Sequence, residues 1–334
     1  MPELLATCCP GLEDILTAEI EQRLSTPART ARGEARFHGA VGEALQLRCA
    51  DNVYTLLGET PAGPHRASLP ALGQALAALP VRERCAQAGI ALPGLRSHVS
   101  ASRRGKHSFS RFEAAAAALA ALCPALGCIP GTAEAHDVAF RLDVDGNRAT
   151  LSVKLTDAAF RFRGQRAFSA AAIRPTIAHA LVRLSQPRDS DVFLDPFCGS
   201  GTILCERLSL PHKAVLGGDW DAQALTAAAQ NTSGQAQLAQ WDAGALPLES
   251  ASVDAIVTNP PWGNQIAVQD SAALYHAFLR EAQRVLIPGG RLVVLSDRAE
   301  DMDAAAKKCG IALPQPLTLS LHGSLCKIWT FFID

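Results

Sequence analysis

Residues 191–334 predict an α/β fold, a doubly wound and mostly parallel sheet with an antiparallel hairpin at its end. Three observations predict it. Short apolar runs that read as buried strands alternate with stretches of helical spacing, the pattern of repeated βαβ units. The first run leads at once into a glycine turn and the start of a helix. The last two runs, 316–321 and 325–332, are joined by His322-Gly323-Ser324, which reads as a hairpin.

Each element follows in order. Val192-Phe193-Leu194-Asp195 is a buried strand, Pro196 to Thr202 a tight turn, and Ile203–Leu208 the opening of a helix. Val215–Asp219 is a second strand ending in an acid, and Ala222–Asn231 a second helix. Gln240-Trp241-Asp242 reads as the end of a third strand, and Val253–Thr258 as a fourth that runs into Asn259. Ser271–Leu286 has helical spacing through Leu274, Phe278, Ala282 and Leu286, and Pro288-Gly289-Gly290 is expected to end it. Arg291–Leu295 is the last strand before the hairpin. In such sheets ligands bind at the carboxyl ends of the strands, where Asp195, Asp219, Asp242 and Asn259 all fall.

Asn259-Pro260-Pro261-Trp262 carries the most chemical information. The Asn side-chain oxygen and a carbonyl stiffened by two prolines can accept both hydrogens of one NH2 group, and a flat aromatic beside them can stack on the ring that bears it. Methylation of an amino group conjugated to a ring or carbonyl needs this arrangement, because that lone pair is delocalised and nucleophilically weak. Accepting both N–H bonds while holding the nitrogen in line with a methyl donor favours the transition state.

Gly199 and Gly201 let a ligand approach the turn with no Cβ in the way. Asp219 follows Gly201 by 18 positions, where an acid accepts hydrogen bonds from ribose hydroxyls, and Asp242 suits an adenine amino group. A dinucleotide site is the rival. Its third glycine would fall at 204, which is Leu, and Asp195 at the turn would repel a pyrophosphate but suit a sulfonium or ammonium. These residues favour S-adenosylmethionine over NAD.

Asp195-Pro196-Phe197-Cys198-Gly199-Ser200-Gly201-Thr202, Asp219 and Asn259-Pro260-Pro261-Trp262 resemble the amino-methyltransferase branch of the class I S-adenosylmethionine-dependent methyltransferases. The resemblance implies a Rossmann-like, mostly parallel seven-stranded sheet with a C-terminal antiparallel hairpin. It implies Asp195 and Gly199 near the methionine end of the cofactor, Asp219 on its ribose and Asp242 on its adenine, with Phe197, Gly201, Thr202, Trp220 and Ala243 also against the cofactor. Asn259, itself also near the cofactor, would hold the target amine with Pro260, and Trp262, where Tyr or Phe is commoner, would stack on it. Ile173-Arg174-Pro175-Thr176-Ile177-Ala178 resembles the family's segment before the fold, with Thr176 against the cofactor.

Composition sets the outer limits. The chain has 334 residues, enough for two or three cores. It lacks a run of about 18 apolar residues, so a spanning helix is not expected. An acidic N-terminus without a basic leader argues against export. Ten scattered cysteines without C-x-x-C pairs read as reduced cytoplasmic thiols, with no metal site expected. Residues 1–190 carry 22 Lys and Arg against 17 Asp and Glu, and residues 191–334 carry 9 against 15, so the front half is the natural partner of a polyanion. Arg96–Arg111 contains Arg103, Arg104 and Lys106 and no acid, and Lys154–Arg188 contains Arg161, Arg163 and Arg166 with one acid, Asp157. Phenylalanines are interleaved in both, a pattern suited to phosphate backbones.

In the front half, Glu3–Cys8 reads as a strand and Gly11–Ile20 as an amphipathic helix. Phe37–Val41 and Leu45–Cys49 are expected to be strand and helix, Pro61-Ala62-Gly63-Pro64 a turn or linker, and Arg111–Leu122 a helix ended near Pro124. Phe140–Val144 and Thr150–Leu155 form a hairpin around Asp145-Gly146-Asn147. The basic segment 99–110, the Ala-rich helix and this hairpin resemble the THUMP domain of RNA-modifying enzymes, and residues 1–60 the ferredoxin-like domain that accompanies it. The expected organisation is a ferredoxin-like domain at 1–60, a THUMP domain at 61–157, a linker at 158–180 and the methyltransferase domain at 181–334.

The combination resembles the transfer RNA guanine-N2 methyltransferases acting at position 6 of the acceptor stem. It implies binding of the 3′ CCA end by the front half, with Arg103, Arg104 and Lys106 as phosphate contacts, and a monomeric enzyme. Guanosine 10 of transfer RNA, a ribosomal RNA guanosine and, in a different class, protein glutamine are the alternatives.

Overall fold

A computed structural model describes residues 1–163, 172–261, 270–321 and 323–333. The chain forms two compact units, Met1–Thr7 with Thr17–Ala158, and Cys8–Leu16 with Ala159–Asp334.

The front elements are β1 (Glu3–Thr7), α1 (Glu13–Leu24), β2 (Ala28–Ala31), β3 (Glu34–His38), α2 (Val41–Ala44), β4 (Asn52–Pro61), α3 (Leu69–Ala77), α4 (Val81–Gln87), β5 (Arg96–Arg104), α5 (Arg111–Leu126), β6 (Ile129–Pro130), β7 (Val138–Asp145) and β8 (Arg148–Lys154). Their strands make one eight-stranded sheet in the order β2-β3-β1-β4-β8-β7-β5-β6. β4 holds its halves together, pairing antiparallel with β1 on one side and β8 on the other. β5 and β7 run parallel, with α5 as the crossover helix such a pair requires. The expected 60/61 boundary falls at the last residues of β4, within this continuous sheet.

Two local expectations in the front elements are corrected. Leu45–Cys49 is not a helix; α2 is a single turn at Val41–Ala44. The buried Glu19 carboxylate takes the N–H groups of Arg48 and Cys49, each at 2.8 Å, in place of helical carbonyls. α5 runs past Pro124 to Leu126, because a proline in the last turn removes only one N–H and Gly127, in the left-handed region, caps the end. A capping box of Ser110 and Glu113 starts this helix. Its alanines have a packing use: Ala114 and Ala118 are buried, and Gly73 of α3 lies against the Ala117 carbonyl.

The second unit contains α6 (Pro175–Leu184), β9 (Val192–Asp195), α7 (Thr202–Leu208), β10 (Ala214–Asp219), α8 (Ala222–Asn231), β11 (Gln237–Gln240), β12 (Val253–Thr258), α9 (Ser271–Val285), β13 (Leu286–Ser296), α10 (Ala299–Lys308), β14 (Leu317–Leu321) and β15 (Ser324–Ile333). Its sheet order is β11-β10-β9-β12-β13-β15-β14, parallel except for β15, which lies antiparallel between β13 and β14. This is the expected seven-stranded sheet with its hairpin. The expected 180/181 boundary falls inside α6. Pro288-Gly289-Gly290 does not end the helix as expected. α9 stops at Val285, and the three residues form an irregularity within β13, where pairing jumps from Val253–Leu286 to Ala255–Arg291.

Strand order reverses between β9 and β12, and the crevice beyond their carboxyl ends is where such sheets bind ligands. The opposite end is pinned by charge: Asp191, 1% exposed, pairs with the buried guanidinium groups of Arg207 and Arg291. Among the described residues, no helix is long and apolar enough to cross a membrane.

Candidate active site

Asp195 closes β9 beside the reversal and is 1% exposed. Its Oδ1 accepts from Thr258 Oγ1 at 2.7 Å and from the Phe197 N–H at 3.2 Å. Burial, reinforced by the nearby charge of Asp219, raises its pKa to about 7 against the pull of those two donors. The carboxyl is therefore poised to ionise beside a cation.

The glycine turn is fastened to the neighbouring strand β10. Cys198 N–H donates to the Gly218 carbonyl at 2.9 Å, and Gly199 N–H to Asp219 Oδ2 at 2.8 Å. Gly199 and Gly201 have φ of 52° and 78°, left-handed values that disfavour a Cβ. Asn231 of α8 donates to the Ser200 carbonyl at 2.8 Å, fixing the outer edge of the turn. Asp219 Oδ1 accepts from Asp221 N–H at 3.0 Å, so the carboxylate is oriented before any ligand arrives. Burial pushes the Cys198 thiol well above its usual range, which suits a filler and not a nucleophile.

Trp220 is 77% exposed, a bare aromatic face directly after Asp219. Trp241 N–H donates to the Asp219 carbonyl at 3.2 Å, and its indole covers Gly218, where a Cβ would collide with it. Asp242 Oδ1 accepts from Gly244 N–H at 2.8 Å, with Ala243 buried beside it. Thr202 is buried at the start of α7 and Thr176 in the first turn of α6. Phe197 packs edge-on against Phe278, centroids 5.4 Å apart.

These residues suit an adenosine bearing a cationic tail. A bare indole flanks a ribose-type acid, the buried Ser200 hydroxyl has no partner among the described residues, and the acid at the turn would disfavour phosphate.

Asn259, half-buried, and Pro260, buried, leave β12 directly after Thr258, so the structure brings the amine-binding candidates to the strand that touches Asp195. Trp262 lies outside the described residues. Sequence reasoning missed two groups. Thr258 was legible as a lone hydroxyl ending an apolar strand. Tyr275 of α9, whose hydroxyl donates to the Pro261 carbonyl at 3.2 Å, gave no local signal.

In the front unit, Arg103, Arg104 and Lys106 are exposed at the end of β5 and just beyond it. Arg103 donates to the His107 carbonyl at 3.0 Å. Arg104 meets Asp145 at 3.4 Å with both side chains about two-thirds exposed, a pair that solvent screens. Phe109 is core. In the second unit, the Arg161 guanidinium lies 4.8 Å from the Phe162 ring centroid. Arg163 departs from its expected role: its side chain is 12% exposed and turned toward the buried Glu206, so it is not presented to a polyanion. Arg166 lies outside the described residues.

A parallel sheet with this reversal, an antiparallel seventh strand and a phosphate-averse turn has the architecture of the class I methyltransferases. The RMKL-like methyltransferase domain family matches residues 163–313. The tRNA (guanine(6)-N2)-methyltransferase of Thermus thermophilus is 36% identical over 316 residues, covering 88% of this chain and 89% of that protein. The tRNA (guanine(6)-N(2))-methyltransferase THUMP3 of Mus musculus is 34% identical over 179 residues, 48% of this chain and 35% of its own length. The crystal structure of TrmN from Thermus thermophilus matches over the whole of both chains with a TM-score of 0.84 and 30% identity. SMU.472, crystallised with SAH, shares the fold with a TM-score of 0.79 at 17% identity, covering 100% of this chain and 98% of that one. The chain belongs to the family of tRNA (guanine-N2)-methyltransferases.

Proposed function

We propose that this enzyme methylates N2 of guanosine 6 in the acceptor stem of transfer RNA, giving N2-methylguanosine. S-adenosylmethionine, when bound, supplies the electrophilic methyl group. Asp219 holds its ribose, Asp242 and Trp220 its adenine, and Asp195 the positive charge of its methionine end. Asn259 Oδ1 and the Pro260 carbonyl accept the two N–H bonds of the target amine and hold its nitrogen in line. Trp262 stacks on the extruded guanine, a contact worth about 1–3 kcal/mol against the few kcal/mol that extrusion costs. Positioning of this kind can supply about 7–11 kcal/mol of a methyl-transfer barrier. The nitrogen loses its proton to water after transfer, so no dedicated base is required.

One observation carries the reading. The Thr258–Asp195 hydrogen bond of 2.7 Å ties the cofactor turn to the residue immediately before Asn259, so donor and acceptor sites share one hinge point. The choice of position 6 is supported by the Thermus thermophilus relative, which is similar along nearly its whole length.

The front unit supplies substrate recognition in this reading. Residues 1–60 act as a ferredoxin-like domain and 61–157 as a THUMP domain that holds the 3′ CCA end, with Arg103, Arg104 and Lys106 on phosphates. The enzyme works as a cytoplasmic monomer without a metal.

Nucleoside mass spectrometry of tRNA transcripts incubated with the protein and S-adenosylmethionine tests this. N2-methylguanosine is expected in a transcript with guanosine 6 and is lost on its replacement by adenosine. Product that survives there but is lost on replacing guanosine 10 would redirect the assignment. Methylation of protein glutamine without any in RNA would overturn it. Full activity in EDTA checks the metal-free mechanism.

A further inference from the structure

We propose that Thr258 and Tyr275 are positioning residues for methyl transfer: their hydroxyls clamp the Asn259–Pro260 acceptor pair from its two ends. This rests on the reading of Asn259 and Pro260 as the groups that hold the target amine.

On the upstream side, backbone pairing between β9 and β12 covers Phe193–Ala255 and Leu194–Ile256. Beyond those pairs the Thr258 hydroxyl takes over, reaching Asp195 Oδ1 at 2.7 Å with both residues buried. Val257 and Ile256 before it are wholly apolar and buried, so Thr258 brings the one side-chain hydroxyl of that strand to the place where the strand ends. A valine would fill nearly the same volume and leave the last turn before Asn259 without its side-chain anchor.

On the downstream side, Tyr275 lies fully buried on α9. Its oxygen is 3.2 Å from the Pro261 carbonyl and 2.7 Å from Ser296 Oγ, and Ser296 Oγ also accepts from the Arg298 N–H at 2.9 Å. The hydrogens can be assigned. A carbonyl only accepts, so the single phenolic hydrogen goes to Pro261. Ser296 must then donate to the Tyr275 oxygen while accepting from Arg298. Each donor is used once, and the chain ends on the catalytic loop. Burial pushes the Tyr275 hydroxyl up to about 12, so it stays protonated at neutral pH.

Between these anchors lie Asn259 and two prolines whose φ angles are locked near −65°. Fixing the Pro261 carbonyl and the Thr258 side chain leaves few soft torsions to displace the Asn259 amide or the Pro260 carbonyl. Misplacement by about 1 Å at such a site can cost about 100-fold in rate.

The test compares Tyr275→Phe, Thr258→Val, Thr258→Ser and Asn259→Ala by steady-state kinetics on tRNA, S-adenosylmethionine binding by calorimetry, and melting temperature. Tyr275→Phe is expected to lower kcat about 10–100-fold with cofactor affinity within about twofold of the parent. Thr258→Val is expected to lower kcat similarly and also weaken cofactor binding, since Asp195 loses a donor; Thr258→Ser restores most of both. Values of kcat within twofold of the parent for both Tyr275→Phe and Thr258→Val, with Asn259→Ala inactive, would overturn the clamp. Losses that follow melting temperature alone, with no rescue by serine, would also overturn it. Full activity of Asn259→Ala would instead remove the amine-holding reading on which the clamp depends.

Discussion

The two sheets treat charge in opposite ways. In the eight-stranded sheet the cations that matter, Arg103, Arg104 and Lys106, stand in solvent at the end of one strand. In the seven-stranded sheet the ionisable groups are drawn inside: the Asp191 carboxylate between Arg207 and Arg291, and the Asp195 carboxyl under the Thr258 hydroxyl. The difference separates two kinds of work. Screened surface charges attract a polyanion without requiring fixed geometry, whereas buried groups act only when oriented, and their loss is felt in full. Substitutions in the second unit should therefore be steep and specific, and those in the front shallow and salt-dependent.

The largest expected effect is on stability. Asp191→Ala leaves two guanidinium groups buried without their carboxylate and is expected to cost about 3–5 kcal/mol by chemical denaturation; a loss below about 1 kcal/mol would erase the contrast. Asn259→Ala is next. It should lower methylation about 10²–10³-fold while tRNA affinity stays within about twofold, as for loss of an oriented transition-state contact. Equal loss of affinity and rate would mean that Asn259 serves binding.

Asp195 sharpens the comparison through pH. Its pKa of about 7 lies above the ordinary carboxylate value of about 3.9, so the native state binds this proton more tightly than the unfolded chain. The resulting stability is present in full below about pH 4 and is lost as pH rises through about 7. Cofactor binding runs the other way. A cation favours the ionised carboxyl, so affinity for S-adenosylmethionine should fall, by up to about tenfold per unit, as pH drops below about 7. Calorimetry across pH checks this, and Asp195→Asn should flatten the profile.

The smallest effects belong to the front unit. Replacing Arg103, Arg104 and Lys106 by alanine should reduce the slope of log affinity against log salt by up to about 0.7–0.9 per charge, with kcat at saturating tRNA unchanged. An unaltered slope would mean that this basic patch is only a solvated face.

The two sheets also differed in how far they could be read. The second was legible because its central strands β9, β10 and β12 are short apolar runs that each end at an acid or a turn, so Asp195, Asp219 and Asn259 identify themselves. In the front sheet, β4 was invisible: Asn52–Pro61 mixes Thr, Gly and Glu with apolar residues, since it is central and stitches two halves with different neighbours. α3 and α4 escaped for a related reason, their short apolar faces being interrupted by Pro70 in the first turn of α3 and Pro80 just before α4. Among the cations, no pattern distinguished Arg163 from Arg161; only the buried Glu206 does.

What the sequence alone determined is the order of strands in the second unit and the chemistry at their ends, because strand periodicity, glycine turns and an Asn-Pro-Pro loop are local constraints that a few consecutive residues enforce; the helices α6 and α10 were not read. What only the tertiary structure decided is which distant groups hold that chemistry in register. Thr258 finds Asp195 across 63 residues, and Tyr275 finds Pro261 and Ser296 from a separate helix. A hydrogen bond depends on distance and angle in space, and the chain sets those only after its sheet has closed.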